Sequence, residues 1–203
     1  MPNTLTVNDL SIYHINDINI EIASANTIGV SGDSGSGKSV LLHALADMTP
    51  HEGALSLDGI LSTDMKPNEW RKKVGLLTTN SYWWFNKISD HFDSTDDDDF
   101  VALGMDYSMY HAEVSRCSTG ELQRLALIRL LANKPQVLLL DEPTANLDES
   151  NRFRVEELVQ HYQQQHDVPV IWVSHDIEQL RRMTKNCYLI DDGQLIVNEA
   201  CSN

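Results

Sequence analysis

Eight consecutive residues, Gly32, Asp33, Ser34, Gly35, Ser36, Gly37, Lys38 and Ser39, fit the pattern G-x-x-x-x-G-K-[ST] that cradles a chain of phosphates. Glycines let the backbone curl so that successive N–H groups converge on anionic oxygens. A helix beginning at the lysine adds its dipole. Lys38 neutralises charge, and the Ser39 hydroxyl is a ligand for Mg²⁺. Further on, "VLLLDE" closes an apolar run with two carboxylates. Asp141 sits where a strand leaves the core and is expected to hold the metal, mostly through water. Strand alternation points Glu142 another way, toward the terminal phosphate, where it can polarise an attacking water as a general base. Taken alone, the pair also reads as a polar strand end; the phosphate loop upstream favours chemistry. His175 ends the next apolar run, "VPVIWVSH". Such a histidine is often structural, yet a neutral imidazole one strand over could hydrogen-bond the γ-phosphate and report its presence.

A second helix start, Ser118-Thr119-Gly120-Glu121, is a capping box ahead of Leu122, Leu125 and Ala126. It reads either as a well-capped helix or, compatibly, as a second anion site using Ser118 and the Gly120 N–H. One small chain then carries two helix starts able to attract phosphate.

The elements that must position these groups alternate. "LTVNDLSIYHINDINIEI" reads as half-buried strands, and "NTIGVSG" as a short strand running into the glycine loop. Leu41, Ala44, Leu45 and Met48 follow at helical spacing. "GALSLDGI" is a small strand turning at Asp58-Gly59, and "KVGLL" another strand. The pattern loosens from Asn80 to about Arg116, with aromatics at Tyr82, Trp83, Trp84 and Phe85 and an acidic run from Asp96 to Asp99, and the stretch "DSTDDDD" that holds this run reads as a solvated loop. A helix runs to about Asn133, before Pro135. "QVLLLDE" and "VPVIWVSHD" are apolar enough to be buried on both faces. Val155, Leu158, Val159 and Tyr162 mark an amphipathic helix, and "CYLIDDGQLIVN" a hairpin. Strands alternating with helices imply an α/β fold with a mainly parallel sheet and an antiparallel β part near the N-terminus.

The chain has 203 residues, the size of one domain, spanning 1–203 with an inserted lobe at about 80–133. Its formal charge of -15 argues against nucleic acid as a partner. The start, "MPNTLTVNDL", lacks the basic and apolar regions of a signal peptide, and no run is apolar enough to span a bilayer. The three cysteines suggest reduced thiols and a cytoplasmic setting.

The order of the glycine loop, "CSTGELQR", "VLLLDEP", "ANLD" and "VSHD" resembles the ATP-binding cassette (ABC) ATPases over nearly the whole chain. The resemblance implies a P-loop NTPase core with a short helical lobe, an ATP hydrolase using Mg²⁺, and a head-to-tail dimer. In that dimer the signature of one copy, here Ser118 to Glu121, closes over ATP held by the P-loop of the other. It further implies that Ala145-Asn146-Leu147-Asp148 is the D-loop, that His175 is the switch histidine, and that Tyr13 stacks on adenine. The tone of the sequence is similar to small stand-alone cassettes, including iron-export ATPases, which serve a separately encoded membrane permease from its inner face. The cargo implied is a metal ion. The alternative is a soluble ABC ATPase acting as an ATP-gated interaction protein; a small-molecule kinase ranks last, having no use for the signature or "VSHD".

The match departs in places. The family's L-S-G-G-Q is Cys117-Ser118-Thr119-Gly120-Glu121 here. The usual glutamine after "KVGLL" is replaced at Thr79, with Asn80 a possible substitute near the metal. Val40 stands in place of the common threonine near the α-phosphate. In the family the lobe receives a helix of the permease, so the aromatics at 82–85 are either that docking surface or the lobe's own core.

Overall fold

A computed structural model of the chain describes residues 3–95 and 97–201. Two sheets form it. The first has the order β2-β1-β4-β5, all antiparallel: β1 (Leu5–Ile12), β2 (Ile15–Ile22), β4 (Glu52–Leu57) and β5 (Ile60–Leu61). Its apolar residues alternate inward as the sequence suggests, with one slip. Val7 and Leu10 are both buried although three apart, because Asn8 and Asp9 form a bulge. Asp9 takes a φ of 50°, and Gly53 lies so close that a Cβ there would come within 2.5 Å of the Asp9 carbonyl oxygen.

The second sheet has the order β10-β9-β3-β8-β7-β6: β3 (Thr27–Ser31), β6 (Val74–Leu77), β7 (Val137–Asp141), β8 (Val170–Val173), β9 (Asn186–Asp191) and β10 (Gln194–Val197). All pairings are parallel except β9–β10, the terminal hairpin. β3, β7 and β8 are buried along their whole length, which explains their unbroken apolar runs. Four neighbouring strands, β3, β8, β7 and β6, release their loops at one edge of the sheet, the carboxyl end where ligands bind in parallel α/β folds. The fold is therefore the mixed α/β arrangement expected.

Helix α1 (Lys38–Leu45) follows β3 directly. It is shorter than the spacing of its apolar residues implied, since Met48 lies beyond it and is exposed. Helix α2 (Pro67–Lys73) is pinned to α1 by the buried Trp70, whose indole N–H donates to the Leu45 carbonyl at 3.0 Å.

The 80–133 segment holds α3 (Asp97–Ala102), α4 (Thr119–Ala132) and 3-10 turns at Ile88–His91, Tyr107–His111 and Val114–Arg116. The acidic run is thus not a loop. Asp97, Asp98 and Asp99 form the first turn of α3, where the helix dipole favours negative charge, and Phe100 behind them is buried. Asp96 lies outside the described residues. The lobe's apolar cluster, including Phe100, Leu103 and Leu125, continues through Leu138 and Trp172 of the sheet to Val155 and Val159 of α5 (Glu149–His166). No helix among the described residues is long and apolar enough to cross a membrane.

One buried polar network ties these layers together. Gln179, on α6 (Ile177–Met183), donates to the Glu156 carboxylate at 2.8 Å and accepts from the Trp172 indole at 3.2 Å. Gln179 and Glu156 are 1% and 5% exposed, and Arg182 closes the network with a 3.0 Å contact to Glu156. Gln179→Leu orphans the indole N–H and one carboxylate contact, so it should lower stability by about 3 kcal/mol. Urea denaturation should register this as a lower midpoint at unchanged slope; an unchanged midpoint contradicts the network's role.

Candidate functional site

The phosphate loop leaves β3 and turns into α1 through left-handed backbone. Gly32 has φ 142° and Gly37, the residue capping α1, has φ 108°. A Cβ at Gly32 would sit 2.7 Å from Ser36 Oγ and 2.8 Å from the Ile190 carbonyl oxygen; one at Gly37 would meet Ile15 at 2.5 Å. Both positions therefore need glycine for conformation and for space. The Lys38 ammonium folds back over the loop, donating to the carbonyls of Gly32 at 2.7 Å and Asp33 at 2.8 Å. An incoming phosphate would compete for those donors with full negative charge. Val40 is half-buried and packs on the core.

The chain's second sheet brings the acidic strand end to this loop. Ser39 Oγ donates to Asp141 Oδ2 at 2.7 Å, and Asp141 is buried. A hydroxyl and a carboxylate converging in this way form the hard oxygen set that suits Mg²⁺. Thr79 leans on the same strand end, its Oγ1 3.4 Å from the Asp141 carbonyl oxygen, too short to reach beyond it. Thr79 and Asn80 both line a 760 Å³ groove that also takes in Ser39, His43 and Asp141.

Glu142 is aimed differently from the strand expectation. β7 ends at Asp141, and Glu142 turns left-handed, with φ 50° and its N–H donating to the Val173 carbonyl at 3.1 Å. A turn, rather than strand alternation, therefore sets its direction, and positive φ at a non-glycine residue is a strained position. His175 likewise lies past the end of β8, two residues beyond Val173. The two loops meet: His175 Nδ1 is 3.0 and 3.1 Å from the two Glu142 carboxylate oxygens. A carboxylate only accepts, so Nδ1 carries the hydrogen, and Nε2 can donate to an anion only when the ring holds both protons.

The second helix start has the reciprocal geometry of a capping box. Glu121 N–H donates to Ser118 Oγ at 3.3 Å, and Ser118 N–H donates to Glu121 Oε2 at 2.8 Å. The Ser118 N–H first, and then the Ser118 hydroxyl, both donating to Oε2, hold the Glu121 carboxyl below its ordinary range. Thr119 points to solvent. Leu147 packs beneath Gly120, where an added Cβ would lie 3.1 Å from Leu147 Cδ2. Asn146 takes φ 63°, and Asp148 caps α5, accepting from the Asn151 N–H at 2.9 Å. Arg124 of α4 donates to Asn151 Oδ1 at 2.9 Å, joining α4 to α5. Ser118 to Glu121 line neither the 760 Å³ groove nor the 490 Å³ cleft formed by His14, Asp33 to Ser36 and Leu189 to Gly193. The structure brings the phosphate loop, Asp141, Glu142 and His175 to one sheet edge, and leaves the second helix start outside both cavities.

Tyr13 is 78% exposed at the tip of the β1–β2 turn. Its neighbour His14 is the one that touches the loop, with Nε2 3.2 Å from the Ser36 carbonyl oxygen. Sequence reasoning passed over His14, though its position beside Tyr13 marked it. It also passed over Arg129 and His91, which shape the aromatic segment. Trp83 packs into the lobe core, whereas Tyr82, Trp84 and Phe85 are exposed. The Arg129 guanidinium lies 4.2 Å from the Trp83 ring centroid and donates to the Tyr82 carbonyl at 3.1 Å. Desolvation pushes its pKa below the usual arginine value. His91 Nε2 accepts from the N–H groups of Trp84 and Phe85, both at 3.0 Å. The aromatic segment is thus both core and surface, with Trp84 and Tyr82 facing the groove.

A family model described as ABC transporter matches residues 15–145. The Arabidopsis thaliana protein named "ABC transporter I family member 17" is 31% identical over 192 residues, covering 88% of this chain and 73% of that one. The Escherichia coli (strain K12) protein named "Probable iron export ATP-binding protein FetA" is 30% identical over 184 residues, covering 84% and 82%. A solved dimeric ATP-binding cassette in a post-hydrolysis state, bound to ADP and Pi, has the same fold, with a TM-score of 0.81 at 21% identity over 94% of this chain and 96% of that one.

Proposed function

The chain belongs to the ABC transporter family as an ABC-type ATPase subunit, and from that premise we propose that two copies stack head to tail to share two ATP molecules. In each site the loop from Gly32 to Ser39 and Val40 wraps the phosphates, with Lys38 on the terminal ones. Ser39 and Asp141 hold Mg²⁺, which when bound neutralises charge on the phosphate oxygens. Glu142 takes a proton from the attacking water, and a doubly protonated His175 holds Glu142 in place through Nδ1–H while its Nε2–H faces the γ-phosphate. Tyr13 or His14 borders the base. Ser118 and Gly120 of one copy contact the γ-phosphate in the other, with Thr119 and Glu121 beside it and Asn146, Leu147 and Asp148 at the seam. The observation that carries this reading is the separation within one chain: the hydrogen bonds of Ser118 to Glu121 stay within α4 and its cap, and among the described residues none reaches residues 32–39, Asp141, Glu142 or His175.

The partner beyond the second copy is an integral membrane permease docking in the groove of Tyr82, Trp84 and Arg129, which puts the ATPase at the inner face of a membrane. The named iron-export relative favours a metal ion as cargo. The rival reading, an ATP-gated interaction protein without transport, draws on Thr79, whose short hydroxyl rests on the Asp141 carbonyl at 3.4 Å where the family's longer glutamine would stand. Purification from detergent with a multi-span protein favours transport; soluble partners alone favour the rival.

Ser118→Ala tests the two-copy arrangement. It should cost about 1 kcal/mol of stability through the lost cap, and weaken Mg-ATP-dependent dimerisation by at least about tenfold. Sedimentation that finds the dimer unweakened contradicts the signature assignment.

A further inference from the structure

We propose that Glu121 is a positioning residue that brakes closure of the ATP clamp, because its carboxylate holds the Ser118 hydroxyl proton and puts negative charge where the partner copy's γ-phosphate must arrive. This rests on the two-copy reading above.

Both the N–H and the hydroxyl of Ser118 donate to the same oxygen, Glu121 Oε2, each at 2.8 Å. A serine hydroxyl has one proton. While Oε2 holds it, Ser118 Oγ turns only lone pairs outward, one of them already engaged by the Glu121 N–H at 3.3 Å. A phosphate oxygen arriving there meets lone pairs and a carboxylate, and finds favourable donors only in the first helical N–H groups of α4, at Thr119 and Gly120. Closure therefore requires the Ser118 hydroxyl to leave Oε2 and the carboxylate to swing aside. The contacts that lower the Glu121 pKa keep that carboxylate ionised. Glutamine at this position would keep the reciprocal cap. Its carbonyl oxygen accepts from Ser118 N–H, its NH₂ faces outward as a donor, and the charge is gone. The acid thus sets how strongly ATP closes the dimer while leaving the cap intact.

The test compares Glu142→Gln with Glu142→Gln/Glu121→Gln, each as the full chain with Mg-ATP, by sedimentation equilibrium at low and high salt. The double variant should dimerise at least about tenfold more tightly at low salt, with the advantage shrinking as salt rises. Thermal midpoints without nucleotide should differ little, since the cap survives and only the favourable charge at the helix start is lost; a markedly lower midpoint with no gain in dimerisation reduces Glu121 to a structural role. A parent that dimerises with Mg-ATP and a double variant of equal or weaker affinity overturn the brake alone. Failure of both proteins to dimerise overturns the two-copy reading and the brake with it.

Discussion

Glu142→Gln should slow ATP hydrolysis by about 10²- to 10³-fold, while leaving Mg-ATP binding intact and accumulating an ATP-bound dimer. Glutamine matches the size of the carboxylate and can still pair with His175 Nδ1 through its amide oxygen. It cannot take a proton from water. The turn that aims residue 142 is a backbone feature, made by the bond from its N–H to the Val173 carbonyl, and survives the substitution. Loss of rate thus isolates the proton transfer. Single-turnover kinetics would measure it, with size-exclusion chromatography to detect the dimer. Hydrolysis at the wild-type rate would remove Glu142 from the role of base and leave the carboxylate to be sought elsewhere.

Lys38→Ala should weaken ATP binding by about tenfold or more and abolish the ATP-dependent dimer. In the structure the ammonium is held by two carbonyls of its own loop, at Gly32 and Asp33. Those contacts are replaceable by water at the rim of the loop, so the fold should tolerate alanine with a thermal midpoint close to that of the parent. The phosphates lose their nearest full positive charge, in a protein whose formal charge is already -15. Titration with a fluorescent ATP analogue reads the affinity, and sedimentation the dimer. An alanine variant that still dimerises on ATP would mean that closure does not depend on a phosphate gripped by Lys38.

Contiguous features were legible in the sequence. The glycine loop, the capping box and the apolar runs of β3, β7 and β8 are each encoded within a few adjacent residues, because local backbone conformation or complete burial dictates them. The bulge at Asn8 and Asp9 was not legible, since it depends on Gly53, more than forty positions away, leaving room for it. Nor was the lobe. Its order comes from short 3-10 turns and stacked rings, such as Tyr107 on Tyr110, that leave no helical period. In the site, the types of Asp141, Glu142 and His175 announced chemistry, but their geometry did not follow from strand alternation. Glu142 and His175 meet because both lie past their strands, in turns that the neighbouring strand fixes. Arg129 and His91 were silent for a similar reason. Each gains meaning only from the aromatic segment that folds against it from elsewhere in the chain.

The arrangement in which each copy completes the other's site is most directly tested by solving the structure of Glu142→Gln with Mg-ATP. The account predicts two copies related by a twofold axis, with Ser118 Oγ and Gly120 N–H of each about 3 Å from a γ-phosphate oxygen gripped by the other's Lys38. A bound γ-phosphate contacted only by groups of its own chain, with Ser118 still bonded to Glu121 and facing solvent, would contradict it.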